Sequence, residues 1–561
     1  MTPAEPRRSP WVWAVGLIVL HVVLTLPNRI EWVGLPMVLQ LPLELPAILL
    51  ALWLLPLRAR RAFGVAVGTA AALVLTLKLA DMAAHAALAR PFNPILDLHL
   101  ATASWHLLRG TLGAIPTVLI GLAGLLAVIV TGALAARGIQ GLGAVLPRSP
   151  LGRGRPPARQ AGLVFGLGLA LTGFGITAAQ THGLTTETSQ LVRDHGRFVA
   201  GSLRDLRAFQ AAARLDPFRD VADERLLEGL AGKDVLLLFV ESYGRSALEH
   251  PLYAPTIQPT LVRFEATLAA SGYTARSGWV TAPMVGGQSW LAHASVLSGL
   301  WIDNQRRYQS LLASDRATLV HDFGRAGWET VAVMPAITMA WPESTYFGYD
   351  RVHAAADLGY RGEPFNWVTM PDQYTMSALN RLELDRQPRP PILAEVALIS
   401  SHAPWVPIPP VIDWGDVGDG SVFTPYARSG DPPAVVWRDP DRIRAQYLKA
   451  VDYALQNLES YIAHFGRDDL VVVILGDHQP APIVTGPDAS FDVPIHVLSR
   501  DPAVIAAIDA WSWTPGMRPA AALPSWRMDA FRDRWLAAFT PAPTRPSSAE
   551  APLPPGHPAE G

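Results

Sequence analysis

The chain has 561 residues, of which 50% are hydrophobic and 17% charged, with a formal net charge of −2, a pI near 6.7 and a mean hydropathy of +0.20. That length holds several domain equivalents, and the composition is too apolar for a soluble enzyme and too mixed for a pure transporter. The near-neutral charge leaves no basic footprint for nucleic acid, and the absence of cysteine excludes disulfides, Fe–S clusters and thiolate zinc sites.

Five apolar stretches, 11–28, 34–57, 62–83, 112–135 and 161–180, are long enough to cross a bilayer, which takes about 20 helical residues. The first lacks a small-residue cleavage site and is followed at once by another span, so it reads as an anchor and not a cleaved signal. Basic residues gather at the N-terminus (Arg7, Arg8), after the second span (Arg58, Arg60, Arg61) and after the fourth (Arg137, Arg148, Arg153, Arg155, Arg159). The intervening loops carry only Arg29, Arg90 and Arg109. The positive-inside rule then places the N-terminus in the cytoplasm and everything after residue 180 outside, at the periplasmic or extracellular face of a bacterial inner membrane. Lys78 and Asp81 lie three residues apart in the third span. They either pair and snorkel or serve a function such as lipid-headgroup contact. The segment 85–110 is amphipathic, fitting an interfacial helix or an ordinary loop helix.

Residues 181–232 read as a helical linker. From 233 to 540 apolar runs alternate with helical patterns: "DVLLLFV" (234–240), "TVAVMP" (330–335), "LAEVALIS" (393–400), "LVVVILG" (470–476) and "DVPIHVLS" (492–499). Such runs mark strands buried on both faces. The expected fold is a five-helix transmembrane domain plus an extracytoplasmic α/β domain, its mostly parallel sheet flanked by helices. Residues 406–440 read as a long surface loop, and 541–561 as a disordered tail.

Ligands of open α/β sheets sit at the carboxyl ends of strands. There the chain places Glu241-Ser242, Ser401-His402 of "SSHAPW" and Asp477-His478 of "GDHQP". Carboxylates and imidazoles converging on one edge suit a single divalent ion such as Mn²⁺ or Zn²⁺. In "TAPMVGGQSWLAHASVLSGL" a Gly-Gly-Gln turn precedes Ser289 and a helical run. Position alone leaves Ser289 either an N-cap or a nucleophile beside an anion site at a helix N-terminus.

With these motifs the chain resembles the alkaline phosphatase–sulfatase superfamily over about 234–500. Within it, the chain is similar to the membrane-anchored branch of lipoteichoic acid synthases and phosphoglycerol or phosphoethanolamine transferases. The resemblance implies that Glu241, Asp477, His478 and Ser289 hold the metal, that Ser289 is the nucleophile, and that His402 contacts the transferred group. Leu291 and His293 stand where sulfatases have Pro and Arg, so the formylglycine signature is absent. Leu398 stands where two-metal relatives have Asp, which implies one metal. Trp341-Pro342-Glu343 is the local match to a substrate-binding Trp-x-Arg, and a carboxylate there suits a cationic headgroup. His293 and His496 are further expected substrate contacts, each with packing as the alternative. The implied function is transfer of a phosphoalcohol headgroup from a membrane phospholipid to an envelope glycan or lipid through a phosphoserine. A hydrolase using the same site, or an inactive membrane scaffold, are the alternatives.

Overall fold

The computed structural model describes residues 10–94, 97, 100–146, 184–185, 187–405 and 407–541. The expected span 161–180 and the expected tail beyond 541 lie outside the described residues. Among the described residues, two helices are long and apolar enough to cross a membrane, α3 Leu57–Leu88 and α5 Ala114–Val145. (Helices α1 Pro10–Thr25, α2 Glu44–Leu54 and α4 Leu100–Leu112 surround them.) Each of the two has 32 residues, about 48 Å at 1.5 Å per residue.

Of the five expected spans, 62–83 and 112–135 are seen among the described residues within helices long and apolar enough to cross a membrane. Residues 11–28 form α1, of 16 residues, about 24 Å. The stretch 34–57 is broken: a short helix Leu35–Leu39, an extended pair Leu41–Pro42 and then α2, of 11 residues. Proline is the cause. Pro36, Pro42, Pro46 and Pro56 remove backbone donors and clash with a continuing helix, which an averaged hydropathy does not register. Leu41–Pro42 pairs instead with Leu184–Thr185.

Small residues bring the long helices together. A Cβ on Gly68 of α3 would lie 2.4 Å from the Gly132 carbonyl oxygen of α5, a backbone approach that only small residues permit. Ile115, Leu119, Leu122, Leu125, Leu126 and Ile129 of α5 remain exposed, an apolar surface that water would penalise. Lys78 and Asp81 neither pair with each other nor reach out. Lys78 Nζ donates to the Val23 and Leu24 carbonyls and to Thr188 Oγ1, at 2.8–3.1 Å. Asp81 accepts from Asn28 and the Phe92 N–H and meets His195 Nε2 at 3.1 Å. They thereby fasten helix α6, Glu187–Ala213, to α3.

The second half of the chain builds a nine-stranded mixed sheet from β1 Asp234–Val240, β2 Thr274–Thr281, β3 Glu329–Met334, β4 Arg351–Ala354, β5 Ile392–Leu398, β6 Leu470–Gly476, β7 Asp492–Ser499, β8 Thr514–Pro515 and β9 Trp526–Arg527. The order is β8-β2-β7-β6-β1-β5-β3-β4, with β9 beside β2. From β6 to β4 all neighbours are parallel, whereas β7 pairs antiparallel with both β6 and β2. All seven residues of β1 and of β6 are buried. Alternate side chains serve two layers: Leu236, Leu238 and Val240 face helix α8 (Pro440–Phe465), and Val235, Leu237 and Phe239 face helix α7 (Ser289–Ser298). The expected surface loop 406–440 carries short helical turns, and it buries Trp414, Val417, Phe423 and Val436.

The loop before α7 rests on the C-terminal end of α3. Gly286 has φ +76°, and a Cβ there would lie 2.0 Å from the Ala87 carbonyl oxygen. Only glycine allows that conformation and that approach together.

Candidate metal centre and active site

The parallel order β6-β1-β5 puts three strand ends on one edge. Glu241 follows β1, Asp477 and His478 follow β6, and Ser400-Ser401-His402 follow β5. The edge is cross-tied: the Ser242 N–H donates to Asp477 Oδ1 (2.8 Å) and Ser401 Oγ to the Glu241 carbonyl (2.5 Å). Behind it Asp372 and Ser400 exchange two hydrogen bonds.

Ser289 opens α7 as its first helical residue. The N-cap is Gln288, with φ 67°. The Ser289 hydroxyl turns away from its own helix, lying 3.2 Å from Glu241 Oε2 and 3.3 Å from His478 Nε2. His478 Nδ1 is 2.8 Å from the Gln479 carbonyl. A carbonyl only accepts, so Nδ1 carries the proton and Nε2 presents its lone pair. That lone pair faces Glu241 Oε1 at 3.4 Å and Asp477 Oδ2 at 3.6 Å.

Glu241, Asp477 and His478 are all buried, with ligand atoms within 4.8 Å of one another, and could hold a metal ion. The donor set fits one. Lone pairs converge with no cation among the protein groups that offer them. The 3.3–3.6 Å from His478 Nε2 to the Ser289, Glu241 and Asp477 oxygens is close to the edge length of a tetrahedron with bonds of about 2.0–2.2 Å. Without an ion the charges are frustrated. Burial, then the Glu241 charge, push the Asp477 carboxyl up to about 6. Burial also opposes ionisation of Glu241, but the charge of His402 and the hydrogen bond from Ser242 hold it below the usual carboxylate range.

The remaining expected residues fall in different places. His402 is half-buried, near enough for its charge to act on Glu241, with Nδ1 2.5 Å from the Ala403 carbonyl. His293 stands one turn beyond Ser289. Its Nδ1 is 2.7 Å from Glu395 Oε1 and its ring stacks on Phe239 at 3.7 Å. Trp341 packs 6.1 Å from Tyr349 between ring centroids. The Glu343 charge acts on Tyr308. His496, an expected substrate contact, is corrected: its ring has no exposed surface. It is clasped by Ser277 Oγ (2.6 Å) and the Tyr243 hydroxyl (3.3 Å), and burial pushes its pKa down to about 3. β7 carries it into the sheet interior, where no substrate atom reaches it.

Sequence reasoning missed Ser242, whose hydroxyl donates to Glu241 Oε1 (2.8 Å), and Glu395, which is buried under His293. The signal for Glu395 was available: one acid inside the apolar run "LAEVALIS".

No family model and no curated protein matches the chain. Solved structures do. The lipoteichoic acid synthase LtaP from Listeria monocytogenes is similar at 16% identity, over 53% of this chain and 71% of its own, with a TM-score of 0.34. The Streptococcus pyogenes phosphoglycerol transferase GacH, in complex with sn-glycerol-1-phosphate, is similar at 10% identity over 60% and 91%, with a TM-score of 0.36. A third, a protein in the alkaline phosphatase superfamily from Vibrio parahaemolyticus, is similar at 14% identity over 53% of this chain and 68% of its own, with a TM-score of 0.30.

Proposed function

We propose that this chain is a metal-dependent, membrane-anchored transferase. It moves a phosphoalcohol headgroup, of the phosphoglycerol or phosphoethanolamine type, from a membrane phospholipid to an envelope glycan or lipid through a phosphoserine at Ser289. The observation that carries the reading is the Ser289 hydroxyl, turned out of its helix into a buried set of converging lone pairs. The exposed apolar face of α5 and the arginine distribution support a bilayer anchor with an outward-facing catalytic domain.

Glu241, Asp477, His478 and Ser289 Oγ would hold one Mn²⁺ or Zn²⁺. Such an ion supplies positive charge that lowers the hydroxyl pKa and offsets charge on the phosphoryl oxygens. Ser289 Oγ attacks the phosphorus, helped by the N-terminal dipole of α7. The bond to the diacylglycerol oxygen breaks, and His402 gives that oxygen a proton. An acceptor hydroxyl then attacks the phosphoserine and frees Oγ. Trp341 and Glu343 frame the headgroup side.

The test uses full-length protein in vesicles of headgroup-labelled phospholipid with Mn²⁺. Label appearing on a glycan or lipid acceptor supports transfer, and label appearing as free headgroup supports the hydrolase reading. Unchanged headgroup release by Ser289→Ala contradicts both.

A further inference from the structure

Glu395 is an acid where the fold asks for none. It lies in the centre of the sheet, in register with Leu237 of β1 and Ala332 of β3, and is 1% exposed. Its strand neighbours Leu393, Ala394, Val396 and Ala397 are apolar. Among the described residues no Arg or Lys pairs with it. One oxygen meets His293 Nδ1 at 2.7 Å, and the other accepts from the Tyr349 hydroxyl. A buried carboxylate without a cation is costly, and an apolar residue of similar size would pack this position better.

What the acid does is fix His293. The imidazole is held by Glu395 on one edge and by Phe239 stacked on its face at 3.7 Å and 15°. A carboxylate accepts, so Nδ1 carries the hydrogen and Nε2 is the nitrogen left for chemistry. No described residue bonds that Nε2. His293 and Ser289 are four residues apart on α7, with Cβ atoms about 5–6 Å apart at that spacing.

The two acceptors now facing the Ser289 hydroxyl, Glu241 Oε2 and His478 Nε2, belong to the residues that would ligate the cation. Once they do, the hydroxyl proton needs another destination. We infer that His293 Nε2 takes the Ser289 proton, directly or through one water, and that Glu395 is the positioning residue that holds the ring for this. The inference rests on the transferase reading of Ser289 and deepens it. In the step the Oγ–H bond breaks and an Nε2–H bond forms. Oγ bonds to phosphorus, and the phosphorus–alcohol bond breaks, its electron pair leaving with the alcohol oxygen, which is protonated by His402. Breakdown of the phosphoserine runs the steps in reverse: His402 takes the acceptor hydroxyl's proton, the acceptor oxygen bonds to phosphorus, the Oγ–phosphorus bond breaks, and Nε2 returns its proton to Oγ.

The test uses full-length protein in phospholipid vesicles with Mn²⁺ and reads the rate of Ser289 adduct formation by mass. His293→Ala is expected to slow it on the order of 100-fold, with the phospholipid KM within threefold and added imidazole restoring part of the rate. Glu395→Gln is expected to slow it less, and the double variant is expected to be no slower than His293→Ala. In the metal-free protein, nitrogen NMR of His293 is expected to show the Nδ1–H tautomer, which Glu395→Leu loses. Additive losses, absence of imidazole rescue, or an unchanged tautomer in Glu395→Leu overturn the inference. If the wild type forms no adduct at all, the transferase reading fails instead, and the tautomer measurement alone decides whether Glu395 holds the ring.

Discussion

Two buried polar clusters, one in the helical bundle and one at the sheet edge, are built on contrary rules. In the bundle, Lys78 spends its donors on two carbonyls and Thr188, while Asp81 is met by Asn28, His195 and the Phe92 N–H. Donors and acceptors alternate, as a structural network requires. At the sheet edge, Glu241, Asp477 and His478 present lone pairs to one another, with one hydroxyl between them. The first cluster is complete without any ligand. The second brings acceptors together where a cation would fit, which is the difference the proposed function rests on.

The same contrast appears between two acids of the catalytic domain. Burial opposes ionisation of both. At Glu383, His353, Arg351 and Arg386 outweigh it and hold the carboxyl down to about 2. At Asp477 the neighbouring carboxylate adds to it.

The largest effect is expected at the incomplete cluster. Glu241→Gln or Asp477→Asn lowers headgroup transfer more than about 10³-fold, roughly 4 kcal/mol in the barrier. Wild-type protein melts lower in chelator than in Mn²⁺, whereas Asp477→Asn melts alike in both and, in chelator, no lower than wild type. A lower metal-free melting point for Asp477→Asn would show this cluster to be a fastening like the other.

Lys78→Met is expected to cost about 3 kcal/mol of stability by leaving buried acceptors unmatched. Its effect on a water-soluble phosphodiester is expected to stay within a few-fold for the protein that remains folded. Glu383 gives the pH signature. Its folded pKa lies below its ordinary value of 4.5, so its stabilisation is complete above about pH 4.5 and is lost as pH falls towards 2. This is worth on the order of 1–3 kcal/mol. Acid unfolding of Glu383→Gln should show a flatter limb across that window, measured by circular dichroism. His496→Ala is the smallest: a loss of about 1–2 kcal/mol in stability, with transfer rates within threefold, which a substrate contact would not allow.

The parallel core was legible in the sequence because strands buried on both faces write their bounds in composition. Asp234–Val240, Leu470–Gly476 and Asp492–Ser499 coincide with apolar runs to the residue. Thr274–Thr281 escaped because Arg276, Ser277 and Gly278 interrupt its apolar pattern, although most of the strand is buried. The stretch 34–57 misled for the opposite reason: its apolar average hides four prolines. That Glu241, Asp477 and His478 meet was legible because strand ends converge in any parallel sheet. The direction of the Ser289 hydroxyl was not legible, since an N-cap and a hydroxyl aimed at a neighbouring strand end share one local signature. Glu395 was hidden by the run that made its strand so easy to find.

The central claim, that Ser289 is the atom to which the headgroup is transferred, is tested most directly by intact mass of the full-length protein held with phospholipid and Mn²⁺ and no acceptor. The expected result is a single added mass equal to the phosphoalcohol, mapped to Ser289 and absent in Ser289→Ala. Headgroup release with no adduct, or an adduct on another residue, would contradict it.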